Sequence, residues 1–386
     1  MDLIYLDHNA TTPLDPEAFK AMGPWFTERF GNASSAYALG HLSDGAVVAA
    51  REQVAALVGC TPAEVVFTSG GTESLNHAVR GTWEAFPTKR HLVTTAVEHP
   101  AMRALVTWWK AQGGAVTDVG VDGEGRLDLV ALEAAVRADT ALVAVMVANN
   151  ETGVLFPVAE AAQIARSKGA LMLVDATQAM GKVPVNAAAW GADLLCLSGH
   201  KFYGPKGTGV LMIRRGVRVK PLLLGGSQER GRRGGTENVP GIVGLGKASE
   251  LAVAQLPGMD RVRHLRDDME ARIRAVIPDV CIHGGATNRL PNTSLVGFLG
   301  IEGEALQLML AERGMCVSTG SACSTGMREP SHVLRAMQVP EAYAQGTVRF
   351  SLGRGTTTRD LDQVLALLPV LVSTLRNRPS FETHRR

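Results

Sequence analysis

Ser198-Gly199-His200-Lys201-Phe202-Tyr203-Gly204-Pro205-Lys206-Gly207 follows the apolar run Asp193-Leu194-Leu195-Cys196-Leu197. The run reads as a buried strand, and the segment after it is too rich in Gly and Pro to be a helix. A lysine on such a turn stands at the edge of a sheet, facing a crevice. Lysine is also the side chain that forms Schiff bases with carbonyl groups.

Outward from this turn, strands alternate with helices. Helical periodicity covers 43–58, and a short strand over 64–68 stops at Ser69-Gly70-Gly71. Strands are predicted near 91–95, 115–119, 141–147, 171–174 and 209–213, with helices from Thr72, from Pro100, and near 128–137 and 158–167. This alternation predicts an α/β fold with a mostly parallel sheet covered on both faces. Past about residue 255 the texture changes to a charged helix (260–276), strands (280–283, 293–298, 348–351) and two more helices (304–313 and from Arg359), a smaller α+β unit. The chain of 386 residues is too long for one ordinary core of roughly 100–200 residues. The expected division is a large domain over 16–255 and a small one made of 1–15 and 256–386.

Composition excludes several classes. The formal net charge is +2, which gives no reason to expect a nucleic-acid or membrane partner. No apolar stretch approaches the ~20 residues that span a bilayer. The five cysteines form no CxxC pair, against both a disulfide framework and a zinc ribbon. The first residues lack a secretory signal pattern, and a cytoplasmic location is expected.

Two further segments support the lysine. Leu171-Met172-Leu173-Val174 ends in Asp175-Ala176-Thr177-Gln178. An acid at the carboxyl end of a buried strand sits where open α/β sheets bind ligands. It suits a pyridine nitrogen that must stay protonated for the ring to act as an electron sink, as in pyridoxal 5′-phosphate (PLP), and Gln178 is placed to reach the ring oxygen. Gly70-Gly71-Thr72-Glu73 joins a strand to a helix, whose N–H groups and dipole favour a phosphate. There is no GxxxxGK[ST] and no GxGxxG after the first strand, against nucleotides as the ligand.

These segments, in this order, resemble the class V aminotransferase family, and within it the cysteine desulfurases, most nearly the NifS type. The resemblance runs from Tyr5-Leu6-Asp7 through Asn9-Ala10-Thr11-Thr12, Glu98-His99-Pro100, Asn149-Asn150-Glu151, Asp175-Ala176-Thr177-Gln178 and Ser198-Gly199-His200-Lys201. It continues through Gly235-Thr236-Glu237-Asn238, Gly320-Ser321-Ala322-Cys323 and Val348-Arg349-Phe350. It implies the type I PLP-dependent aminotransferase fold, with a mostly parallel seven-stranded sheet and a small α+β domain. Lys201 would hold the cofactor as a Schiff base, with Asp175 on the pyridine nitrogen and Gln178 on the ring oxygen. His99 would stack on the ring and move protons, serving as the base that ionises Cys323. Gly71, Thr72, Ser198 and His200 would hold the phosphate. Thr236 would add a contact from the other subunit of a homodimer. Asn150, next to the cofactor, and Arg349 would bind the carboxylate of L-cysteine. Cys323 would take the sulfur as a persulfide and pass it to a scaffold protein for iron–sulfur assembly, nitrogenase included. A transient iron–sulfur contact would run through that persulfide.

Cys323 stands in a run without large apolar side chains, which reads as a mobile surface loop suited to a reactive thiol. His8, Ala33 and Tyr37 depart from the family's usual Asn, Pro and His. Two alternatives stay open from sequence: selenocysteine lyase or another lyase of the same fold, and a non-catalytic sulfur-trafficking subunit.

Overall fold

A computed structural model describes residues 3–319 and 330–377. In chain order the first strands are β1 (Ile4–Tyr5), β2 (Val65–Thr68), β3 (His91–Thr95), β4 (Ala115–Val119), β5 (Thr140–Met146), β6 (Leu171–Asp175), β7 (Leu194–Ser198) and β8 (Gly209–Ile213). Strands β2 to β8 form one seven-stranded sheet in the order β2-β8-β7-β6-β5-β3-β4. From β4 to β7 the neighbours are parallel, while β8 runs antiparallel to both β7 and β2. Two reversals leave β2 pointing the same way as β7. The carboxyl ends of β2, β3, β5, β6 and β7 therefore share one edge. The strand order reverses between β3 and β5, the kind of point at which open α/β sheets bind ligands.

The aliphatic runs explain this layering. All seven residues of β5 are buried, as expected for a strand covered on both sides. Alternate residues enter different cores: Val143, Met172, Val174 and Leu195 pack on one face, Leu142, Leu173, Leu194 and Cys196 on the other.

One long helix, Val239–Gln255, was not expected from the sequence. Its glycines lower helix propensity. They sit where the helix crosses Ala38–Val58: a Cβ at Gly246 would come within 2.7 Å of Ala50 Cα. Close approach, not propensity, decides that element. The charged run Glu229–Arg233 reads in sequence as a solvated loop, and that reading fails at Glu229. Glu229 is buried, grips Arg51 by two 2.7 Å bonds and accepts from Phe67 N–H.

The remaining strands are β9 (Val280–His283), β10 (Thr293–Phe298), β11 (Met315–Cys316) and β12 (Thr347–Ser351). An antiparallel sheet, β12-β10-β9, packs on the helices Met259–Val276, Gly303–Ala311 and Thr358–Arg376 through Met269, Phe298, Phe350 and Leu368. β1 pairs with β11, and Ile4 and Leu6 join this second core. The chain then bridges to the first core: Asp7 pairs with Ser351, and Thr12 N–H donates to His200 O at 2.9 Å.

Candidate active site

Along the shared edge lies a cavity of about 260 Å³. Gly71, Thr72, His99, Asn150, Asp175, Gln178, Ser198, His200 and Lys201 all line it. Residues 71 and 201 are far apart in sequence, but register brings them together: Ser198 faces Gly209, which faces Thr68. After Ser198 the chain makes one 3-10 turn, Gly199–Lys201, closed by Phe202 N–H to Gly199 O at 3.1 Å, while Gly199 N–H donates to Thr208 O at 2.9 Å. Lys201 Nζ donates to Asn9 O at 2.7 Å and to Ala10 O at 2.8 Å.

The cavity fits PLP on three counts. Gly70, at φ +155°, precedes the fifteen-residue helix Gly71–Ala85 and offers it no capping side chain, so the first N–H groups remain for an anion. Asp175 ends β6, mostly buried, with Oδ1 accepting from Thr177 N–H at 2.9 Å. The lysine amine stands at the same mouth. His200, held near a pKa of about 4 by burial and by Lys201 and Lys206, is neutral. Its Nδ1 lies 3.1 Å from Thr11 Oγ1.

His99 caps the helix Pro100–Ala111: its Nδ1 accepts from Ala101 N–H at 3.1 Å. In the neutral ring the proton is therefore on Nε2. Burial chiefly, with Lys201 and His332 nearby, holds the ring below the usual histidine range, against the pull of Asp175. The resting ring is thus a hydrogen-bond donor at Nε2. Acting as the base toward Cys323, as expected from sequence, would require it to release Ala101.

Glu98 was missed by sequence reading. It is fully buried, and Oε1 accepts from Thr95 hydroxyl and Met146 N–H, both at 2.9 Å. Burial first, and Asp175 second, push its carboxyl up to about 8. An unfolded chain releases this proton near 4.5, the folded one only near 8. Across that window the folded state binds the extra proton, so stability falls as pH rises. Glu98→Gln keeps the acceptor oxygen and has nothing to lose. It is expected to flatten the decline in stability between about pH 5 and about pH 8, measured by urea denaturation.

Arg349 lies on β12, 5% exposed, which excludes a surface position. Nη1 donates to Asn150 O at 2.8 Å, Nη2 pairs with Asp7 Oδ1 at 2.7 Å, and the buried Nε has no partner. Thr236 lines a different cavity, of about 240 Å³, and is not brought to Lys201 within one chain. Cys323 lies outside the described residues. The chain on either side of it is anchored at the site. Ser318 bridges Arg349, and His332 Nε2 lies 2.9 Å from Glu98 O. His8 is buried, its Nδ1 3.1 Å from Ser351 O, and Tyr37 is exposed. Among the described residues no cluster suited to a metal occurs, and no helix is long and apolar enough to cross a membrane.

The chain belongs to the class V aminotransferase family, whose profile matches residues 4–364. Its fold is the type I PLP-dependent fold and its cofactor is PLP. A relative described as cysteine desulfurase, from Trichormus azollae, is 50% identical over 383 residues, covering 99% of this chain and 96% of the relative. One described as cysteine desulfurase NifS, from Azotobacter vinelandii, is 47% identical over 376 residues, covering 97% and 94%. A solved structure described as a NifS-like protein superposes with a TM-score of 0.91 at 38% identity, covering 97% of this chain and all of that one.

Proposed function

We infer that this chain is a PLP-dependent cysteine desulfurase, converting L-cysteine to L-alanine and keeping the sulfur as a persulfide on Cys323. The observation that carries the reading is the convergence of Lys201, Asp175, His99 and the open helix terminus at Gly71 in one cavity, beside Arg349. PLP, when bound there, supplies an electron sink for the bond-breaking at the amino acid. Gly71, Thr72, Ser198 and His200 would hold its phosphate, Asp175 its ring nitrogen and Gln178 its ring oxygen. Lys201 would hold it covalently through Nζ and, once released by substrate, take the α-proton at Nζ. Asn150 and Arg349 would orient the substrate carboxylate, and the unpartnered Nε is a donor ready for it. Lys201 Nζ, once it carries that proton, would be the acid that returns it to substrate carbon, with His99 Nε2–H as a hydrogen-bond donor beside it. Cys323 Sγ would attack the substrate sulfur: an S–S bond forms, the C–S bond breaks, and its electron pair leaves with carbon, which becomes alanine on protonation.

The persulfide would pass to a scaffold protein for iron–sulfur assembly, in nitrogen fixation by analogy with the NifS relative, with cluster contact through Cys323 only in transfer. Thr236 would reach the phosphate from the second subunit of a homodimer. We place the domain division at 16–255 against 1–15 with 256–386, and the protein in the cytoplasm.

Incubating the holoenzyme with L-cysteine and a reductant tests the activity: alanine and sulfide are expected in equal amounts, and lysis to any other amino-acid product would contradict it. Arg349→Lys keeps charge but loses the fork. It is expected to lower kcat/KM by about 100-fold, mostly through KM, in steady-state kinetics.

A further inference from the structure

Lys182 is a buried lysine that the reaction does not use, 7% exposed. Its Nζ donates to Gln178 Oε1 at 2.8 Å and to Asn9 Oδ1 at 2.9 Å. A lysine ammonium has no acceptor and so meets both amides at oxygen, the orientation also required by Gln178 Nε2 and Asn9 Nδ2 donating to the backbone carbonyls of Asn9 and Asn150. The consequence for Gln178 is specific. Its NH2 turns the other way, where one N–H donates to Asn9 O at 3.0 Å and the other is left for the cavity that Gln178 lines with Asp175 and Lys201. Asn9, itself 1% exposed, is held in turn by Asn292 Nδ2 at 3.1 Å and by its own bond to Thr293 Oγ1 at 2.9 Å. The lysine is thus braced from both regions of the molecule. Burial, with Lys201 and Arg349 nearby, holds its amine well below the usual lysine range. Both amide oxygens are thus taken up by donors from the one lysine.

We propose that Lys182 is a positioning residue that locks the Gln178 amide so that its second N–H faces the cofactor's ring oxygen. This rests on the reading of Gln178 as that oxygen's partner. Without the lysine, only the single bond to Asn9 O holds the amide, and its second N–H is less firmly aimed at the ring oxygen. Lys182 needs no contact with the cofactor to matter. Nothing in the spacing marks it, because it acts across a turn on a residue four positions earlier.

The test is a double-mutant cycle on the holoenzyme, reading PLP dissociation and the pH midpoint of the visible absorbance band, with folding checked by circular dichroism and thermal melting. Gln178→Ala and Lys182→Met are each expected to weaken PLP retention about five-fold, the loss of one hydrogen bond, and to move the midpoint in the same direction. The double variant should be no worse than Gln178→Ala, and Lys182→Gln, which keeps a donor, should restore both readouts. If Lys182→Met does not fold, Lys182→Thr, too short to reach Gln178, takes its place in the cycle. A shift in Gln178→Ala with none in the lysine variant, or additive effects in the double, would overturn the proposal. No shift in Gln178→Ala would instead remove the reading of Gln178 itself.

Discussion

Lys201→Ala is expected to reduce alanine formation from L-cysteine by about 10⁴-fold or more. The variant loses two functions at one atom. Nζ is the group proposed to hold PLP covalently, and it is the base for the α-proton, a role that alone contributes about 10²–10⁴-fold. Nothing nearby replaces it. Lys182 is committed to Gln178 and Asn9, His99 offers a donor at Nε2, and His200 is neutral beside Thr11. The helix terminus at Gly71 and the Asp175 carboxylate remain, so the variant should still bind PLP without a covalent link. Alanine assays and borohydride labelling check both halves. Wild type should carry the label on Lys201 and the variant none.

Cys323→Ala is expected to keep the cofactor and its visible absorbance while sulfide release falls to the uncatalysed background. No other described cysteine is suited to replace it. Cys196 is buried on β7, where burial and Asp175 raise its thiol well above the usual range. Burial pushes the Cys60 thiol up to about 12 and raises Cys281 as well. Cys316 is tied into β11 through pairing with β1. Sulfide assays with a reductant separate the readings. Undiminished release would favour a lyase that needs no protein thiol, such as a selenocysteine lyase.

Much of this site was legible because the chemistry lies at strand ends. β6 and β7 are short aliphatic runs with a punctuating polar residue. Reading them as strands places Asp175 and Lys201 at the sheet edge without further information. The helix over 239–255 was not legible: its glycines argue against a helix locally, and only the packing against Ala50 makes them useful. The supports of the site were hidden for a related reason. Asp7 and Asn9 sit in a quoted motif, yet nothing local says that one pairs with Arg349 and the other carries Lys201, Gln178 and Lys182. Those contacts span most of the chain and exist only once both cores have formed. The tautomer of His99 likewise depends on the helix that it caps.

Peptide mass analysis after brief exposure of the holoenzyme to L-cysteine, without reductant, bears most directly on the whole account. The peptide containing Cys323 should gain the mass of one sulfur atom in the wild type and none in Lys201→Ala. A sulfur found on another cysteine, or sulfide and alanine produced with Cys323 never modified, would contradict it.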